Sequence, residues 1–148
     1  MSERKAWIFF YGSYMNPNVL KEVDLSPANV QVAKLAGFDL RIAPRANLVP
    51  AEGKTVYGVL TQATHRELDR LYTEHAYRVL GEVYVPEAVL VETLDGQFRP
   101  AMTYICWTMT QRAPENAYIH RILAPATELN FPAWYLNRIR SFLVPELR

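Results

Sequence analysis

The spacing of apolar residues changes several times along the chain, and each change marks an element. "AWIFFY", Ala6 to Tyr11, is a continuous run of aromatic and branched residues, too short for an amphipathic helix, and predicts a buried strand in the middle of a sheet. The run stops at Gly12 and Ser13. "NPNVLKEV" then fits a short helix with Asn16 as N-cap and Pro17 at the first helical position, where a missing N–H has no partner to lose. Val30 and Val32, then Phe38, Leu40 and Ile42, alternate with other residues and predict a strand or a strand pair bent at Gly37. "RANLVPAEGKT" carries Pro, Gly and polar residues and predicts a loop, after which alternation resumes as a strand from Thr55 to Leu60.

Thr64 and Glu67 stand at capping-box spacing, so a short helix over "HRELDRLY" is expected to follow. "EVYVPEAVLVETLDGQFRPAMTYICWTM" alternates on both sides of Asp95-Gly96, a dipeptide suited to the positive φ of a tight turn, and predicts a β-hairpin. From Pro114 onward the period becomes helical. One helix is expected over Glu115 to Leu123, and a second begins near Pro132 with Tyr135, Ile139, Phe142 and Leu143 on one face. Strands fill the middle and helices the end, which makes the class α+β with a small closed or strongly curved sheet.

Composition narrows this picture. With 148 residues, half of them apolar and 21% charged, the chain has the balance of one globular domain spanning 1–148 around one core. The net charge of +1 comes without any block of like charge, so neither nucleic acid nor an anionic membrane is an expected partner. No apolar run approaches the roughly 20 residues that span a bilayer. The lone Cys106 has no partner for an internal disulfide, and "MSERKAWIFF" lacks the longer apolar stretch of a signal peptide, so the expected location is the cytoplasm. His65, His75 and His120 are scattered, and no metal is expected. Cys106, in "TYICW", and the nearby Tyr104 are expected in the core.

Candidate chemistry begins where the first strand ends. A strand, a turn of small residues and a helix start together form a concavity of backbone N–H groups that favours a carboxylate or carbonyl oxygen, and the Ser13 hydroxyl adds a donor. "YGSYM" is not a Gly-x-Ser-x-Gly elbow, which argues against a hydrolase triad built on Ser13. Arg45 and Asn47, in "RANLVP", follow a strand, where a guanidinium fork suits a substrate carboxylate.

"YGSYM" also resembles the Tyr-Gly-Ser-Asn-Met/Leu signature of the γ-glutamylcyclotransferase (AIG2-like) family. "AKLAGFDLRI" and "VYGVL" are similar to that family's next two strands. "ELDRLYTEHAYRVLGEVYVPEAVLVE" stands in the place of its Leu-Asp-x-x-Glu-Gly segment and following strand, and "YIHRILAPATELNFPAWYLNRI" resembles its C-terminal pattern. The resemblance covers nearly the whole chain in order. It implies a small mixed β-barrel with flanking helices. It implies too an enzyme without metal or cofactor that releases 5-oxoproline from a γ-glutamyl amine or γ-glutamyl peptide. In such a reaction the α-amino group attacks its own γ-carbonyl, so the protein folds the chain, takes a proton and stabilises an oxyanion. Tyr11, Gly12, Ser13, Tyr14 and Met15 would form the cradle, with Arg45 and Asn47 as further substrate contacts.

Two departures stand out. Tyr14 replaces the signature's Asn, and the register that gives the family its catalytic glutamate gives Tyr72 here, three positions after Leu68-Asp69. A shift of two residues supplies Glu74, and a different gap supplies Glu82; either is a candidate base. The residues therefore admit a cyclotransferase or, with the base lost, a carboxylate-binding protein on the same fold. The expected partner is a small γ-glutamyl compound, and the chain is expected as a monomer or a homodimer.

Overall fold

The computed structural model describes residues 4–27 and 29–145, with the backbone alone at 79 and 80. Among them five strands and four α-helices follow in the order β1 (Lys5–Phe10), α1 (Pro17–Lys21), β2 (Gln31–Ile42), β3 (Ala46–Thr64), α2 (His65–Asp69), β4 (Val85–Thr93), β5 (Phe98–Ile105), α3 (Asn116–Glu128) and α4 (Ala133–Arg140). The strands form a mixed, closed barrel in the order β1-β3-β2-β4-β5, flanked by the helices, as expected for an α+β chain. Its two closing seams are thin. β2 meets β4 at Ala33–Thr93 and Lys34–Glu92, and β1 meets β5, in parallel, at Ile8–Met102.

The loop expected over "RANLVPAEGKT" is instead the first half of β3, which pairs with β2 from Ile42–Ala46 to Gln31–Leu60. Long-range pairing overrides the local turn composition here. Pro50 stands opposite Phe38, beside the register shift at Ala36/Phe38, where a missing N–H is tolerated. Gly37, at φ +88°, takes the left-handed conformation that this bulge requires, so the predicted bend is a bulge within one strand.

Other local signals appear where the sequence placed them. Thr64 Oγ1 accepts from Glu67 N–H at 3.1 Å and Glu67 Oε1 accepts from Thr64 N–H at 2.8 Å, closing the capping box. The β4–β5 hairpin turns at Asp95-Gly96. After α2, however, the chain neither stops at Tyr72 nor opens into a loop. It widens into a π-helical segment, Arg70–Leu80, that ends at Gly81. The helix expected over "NFPAWYLNRIRSFLVPEL" ends at Arg140; it buries Tyr135 and Ile139, with Phe142 and Leu143 half-buried just beyond it, and positions 146 and 147 lie outside the described residues.

α3 runs five residues past its expected end at Leu123, through a buried Pro125. Pro125 has no N–H to offer the Arg121 carbonyl one turn earlier. Asn16 supplies the missing donor: its Nδ2 reaches Arg121 O at 3.0 Å, while its Oδ1 accepts from Asn18 N–H at 3.0 Å and caps α1. One side chain thus starts one helix and mends another.

The core fills the barrel and the layer beneath the helices, with Ile8, Phe9 and Phe10 of β1 at its centre. β1 is buried only in this second half, since Lys5 is exposed and Ala6 and Trp7 are half-exposed. Gly58 of β3 lies so close to β1 that a Cβ there would come within 2.3 Å of Phe10 O and 2.7 Å of the Phe9 ring. Gly58→Ala is accordingly expected to destabilise the fold by about 1–3 kcal/mol through overpacking, measured by urea denaturation. In the same measurement Asn16→Ala should cost about 1–3 kcal/mol, from the lost cap and the orphaned Arg121 carbonyl, whereas Asn16→Asp, which keeps the capping acceptor, should cost less.

Candidate functional site

Beyond β1, Tyr11 and Gly12 lead into a single 3₁₀ turn, Ser13–Met15. Its internal bonds run from Met15 N–H to Gly12 O and from Asn16 N–H to Ser13 O, both 3.0 Å, and leave the N–H groups of Ser13 and Tyr14 outside the turn's own bonding. Gly12 serves close packing: a Cβ on it would lie 2.7 Å from Ala46 Cβ, so the approach that glycine permits is made by β3.

On its inner side the turn borders a cavity of only about 30 Å³, walled mainly by Phe10, Tyr11, Tyr14, Tyr72, Tyr84 and Tyr118. That is room for a water or two. Tyr72 is buried and stacks on Tyr104 with ring centroids 3.7 Å apart and planes within 8°, while Tyr14 meets it edge-on at 5.3 Å. Tyr14, too large for the place of an asparagine amide, is absorbed by this aromatic cluster. Tyr104, expected in the core, is half-buried against it.

Burial pushes the phenols of Tyr11, Tyr72 and Tyr84 well above the ordinary tyrosine range, and neighbouring phenols add to the rise. They stay neutral at neutral pH and cannot serve as bases. Two are already engaged: Tyr11 Oη donates to Tyr104 O and Tyr84 Oη to Ala46 O, each at 2.6 Å. The inner cavity therefore has hydroxyl walls, and among the described residues no carboxylate lines it.

On its outer side the same turn borders a polar hollow of about 190 Å³, where Ser13 meets Arg45, His75 and Tyr118. The Arg45 guanidinium lies over the Tyr118 ring, 4.7 Å from its centroid. His75 Nδ1 lies 2.9 Å from Tyr14 Oη, which also reaches Leu71 O at 3.1 Å. Burial lowers the His75 pKa, with the Glu22 charge opposing, so the ring is neutral at neutral pH.

The residues singled out from the sequence thus separate. Tyr11, Gly12, Ser13 and Tyr14 meet at the inner cavity, and Ser13 meets Arg45 at the outer hollow. Met15 turns elsewhere, into an apolar pocket of about 350 Å³ with Leu20, Leu25 and Val59. Asn47 is a buried strand residue whose amide is consumed by the wall: Nδ2 donates to Cys106 O at 2.7 Å and Oδ1 accepts from Cys106 N–H at 3.0 Å. Glu74 is exposed on the π-helical segment, beside Asp24, Arg70 and Arg78. Glu82 is half-buried ahead of β4, its Oε2 3.7 Å from the Cys106 thiol, which burial pushes up in pKa. Tyr84, Tyr118 and His75 were not anticipated as lining; they are far apart in sequence and only the fold gathers them. Among the described residues, no three His, Cys, Asp or Glu side chains gather to hold a metal.

The family model described as "Gamma-glutamyl cyclotransferase, AIG2-like" matches residues 8–121. The chain belongs to this family. Solved structures share its fold: an uncharacterised protein from Homo sapiens (TM-score 0.80, 20% identity, 99% of this chain and 92% of that one) and a protein named γ-glutamyl cyclotransferase (TM-score 0.75, 20% identity, 97% and 91%). A yeast γ-glutamyl cyclotransferase specific to glutathione is also similar (TM-score 0.62, 11% identity, 93% and 95%). No curated protein matches in sequence. Asn47 ties β3 to the residue that follows β5. Asn47→Ala leaves both main-chain groups of Cys106 unpaired in a buried site and should cost about 2–5 kcal/mol in thermal or urea unfolding.

Proposed function

We propose that this family member binds a γ-glutamyl amine, a γ-glutamyl peptide or a similarly small carboxylate-bearing amine beside the Tyr11–Met15 turn, without cyclising it by a carboxylate inside the barrel. Tyr72 supports this: the residue that the ungapped family resemblance sets in the glutamate's place stacks on Tyr104, and about 30 Å³ remains behind the turn. A neutral phenol there cannot take the proton that the attacking ammonium must lose. The outer hollow, with Ser13 and Arg45, has the volume and the charge that the inner cavity lacks.

Family membership and the free Ser13 and Tyr14 N–H groups favour a second reading, release of 5-oxoproline with the turn stabilising the oxyanion. That chemistry needs a base. Glu82 is half-buried beside the Cys106 thiol and two residues before the cavity-lining Tyr84, whereas Glu74 is exposed beside two arginines, which favours Glu82.

Purified protein incubated with several γ-glutamyl amines and γ-glutamyl peptides, assayed chromatographically for 5-oxoproline, separates the two. No product above the blank is expected. Product that disappears in Glu82→Gln or Glu74→Gln would instead establish turnover and identify its base.

A further inference from the structure

Resting on the reading that a carboxylate-bearing amine is held beside the turn, we propose that the outer hollow is a zwitterion site. In it Arg45 and Arg121 take the ligand's α-carboxylate, and Glu22 and Glu115 take its α-ammonium.

Four charges of both signs line a space of about 190 Å³ and arrive from separate elements. Glu22 follows α1, Arg45 lies in the β2–β3 turn, Glu115 precedes α3, and Arg121 lies on α3. Among the described residues none of the four makes an ion pair within 4.0 Å, with one another or with any other side chain. Glu115 stands at the N-cap of α3, yet its carboxylate caps nothing. Opposite charges sharing a hollow without pairing leave both partners of a zwitterion available.

The walls explain why the charges stay apart. The Arg45 Cζ lies over the Tyr118 ring, 4.7 Å from its centroid, and this contact to the ring places the guanidinium without using a carboxylate. Tyr118 is fixed in turn by Ala46 N–H, which donates to its hydroxyl at 2.9 Å. The Asn16–Arg121 bond of 3.0 Å ties the start of α1 to α3, and the Tyr14–His75 contact of 2.9 Å closes the remaining side. The hollow is thus framed by bonds that do not use its charges.

The mixed charge also selects. A simple dicarboxylate meets Glu22 and Glu115 with nothing to offer them, and a simple amine meets Arg45 and Arg121 in the same position. An α-amino-acid head satisfies both pairs, and it is the part of a γ-glutamyl compound that carries both charges. The Ser13 N–H stands at the same wall for a remaining oxygen, while the Ser13 hydroxyl pairs with Tyr118.

Two-dimensional NMR titrations of the full chain test this, with γ-L-glutamylglycine, its N-acetylated form, glutarate and L-alanine as probes. γ-L-Glutamylglycine is expected to shift the amides of Ser13 and Glu115, and the N-acetylated form and glutarate to bind at least about tenfold more weakly. Arg121→Gln should weaken γ-L-glutamylglycine at least about tenfold. Glu115→Gln should weaken it too, while narrowing its lead over the N-acetylated form. Both side chains are exposed, and unchanged thermal unfolding would show that the variants fold. Wild-type affinity in both variants would overturn the hollow and leave binding beside the turn intact. L-Alanine binding with this charge dependence, but no binding of γ-L-glutamylglycine, would keep the hollow and remove the γ-glutamyl reading. No binding of either would remove both.

Discussion

Ala46, the first residue of β3, is held on every side, and the end of the barrel that carries the site depends on it. Its N–H donates to Tyr118 and its carbonyl accepts from Tyr84, so α3 and the residue before β4 are fastened to one residue of β3. Its methyl occupies the space that Gly12 leaves open, which sets the path of the turn after β1. None of these contacts is local in sequence. They turn a short stretch of backbone into the frame on which the inner cavity and the outer hollow both hang.

That frame separates a phenolic side from a charged one. Inside, burial keeps the phenols protonated around a space of about 30 Å³. Outside, arginines and carboxylates stand unpaired around a solvent-facing hollow. The turn lies between the two, with N–H groups that its own bonding does not use.

The parts of this fold legible in the sequence are those whose cause is local. The Thr64–Glu67 capping box, the Asp95-Gly96 hairpin and the Asn16 cap each depend on a few neighbouring residues, and each appears where the sequence places it. The first half of β3 was hidden because its Pro and Gly suit a loop and only the distant β2 makes it a strand. The extension of α3 through Pro125 was hidden for the same reason, since the donor that repairs it is Asn16, 105 residues away in sequence. At the site, the turn and Arg45 were legible as chemistry-bearing types. Asn47 had the same surface-loop look, but its strand position commits its amide to Cys106. The tyrosine cluster has no signature, being assembled from β1, the turn, the π-helical segment, the approach to β4, β5 and α3.

The narrow seams of the barrel give the β4–β5 hairpin a particular standing. It is joined to β2 by two residue pairs and to β1 by one, while its own two strands are zipped from Val85–Ile105 to Glu92–Phe98. Side chains reinforce what the ladders leave thin: Tyr11 Oη donates to Tyr104 O at 2.6 Å, Thr103 Oγ1 donates to Phe9 O at 3.0 Å, and the Asn47 amide takes both main-chain groups of Cys106. Where β5 meets its neighbours, hydroxyls and one amide therefore hold the barrel shut along with the single ladder pair, and closure there follows side-chain identity.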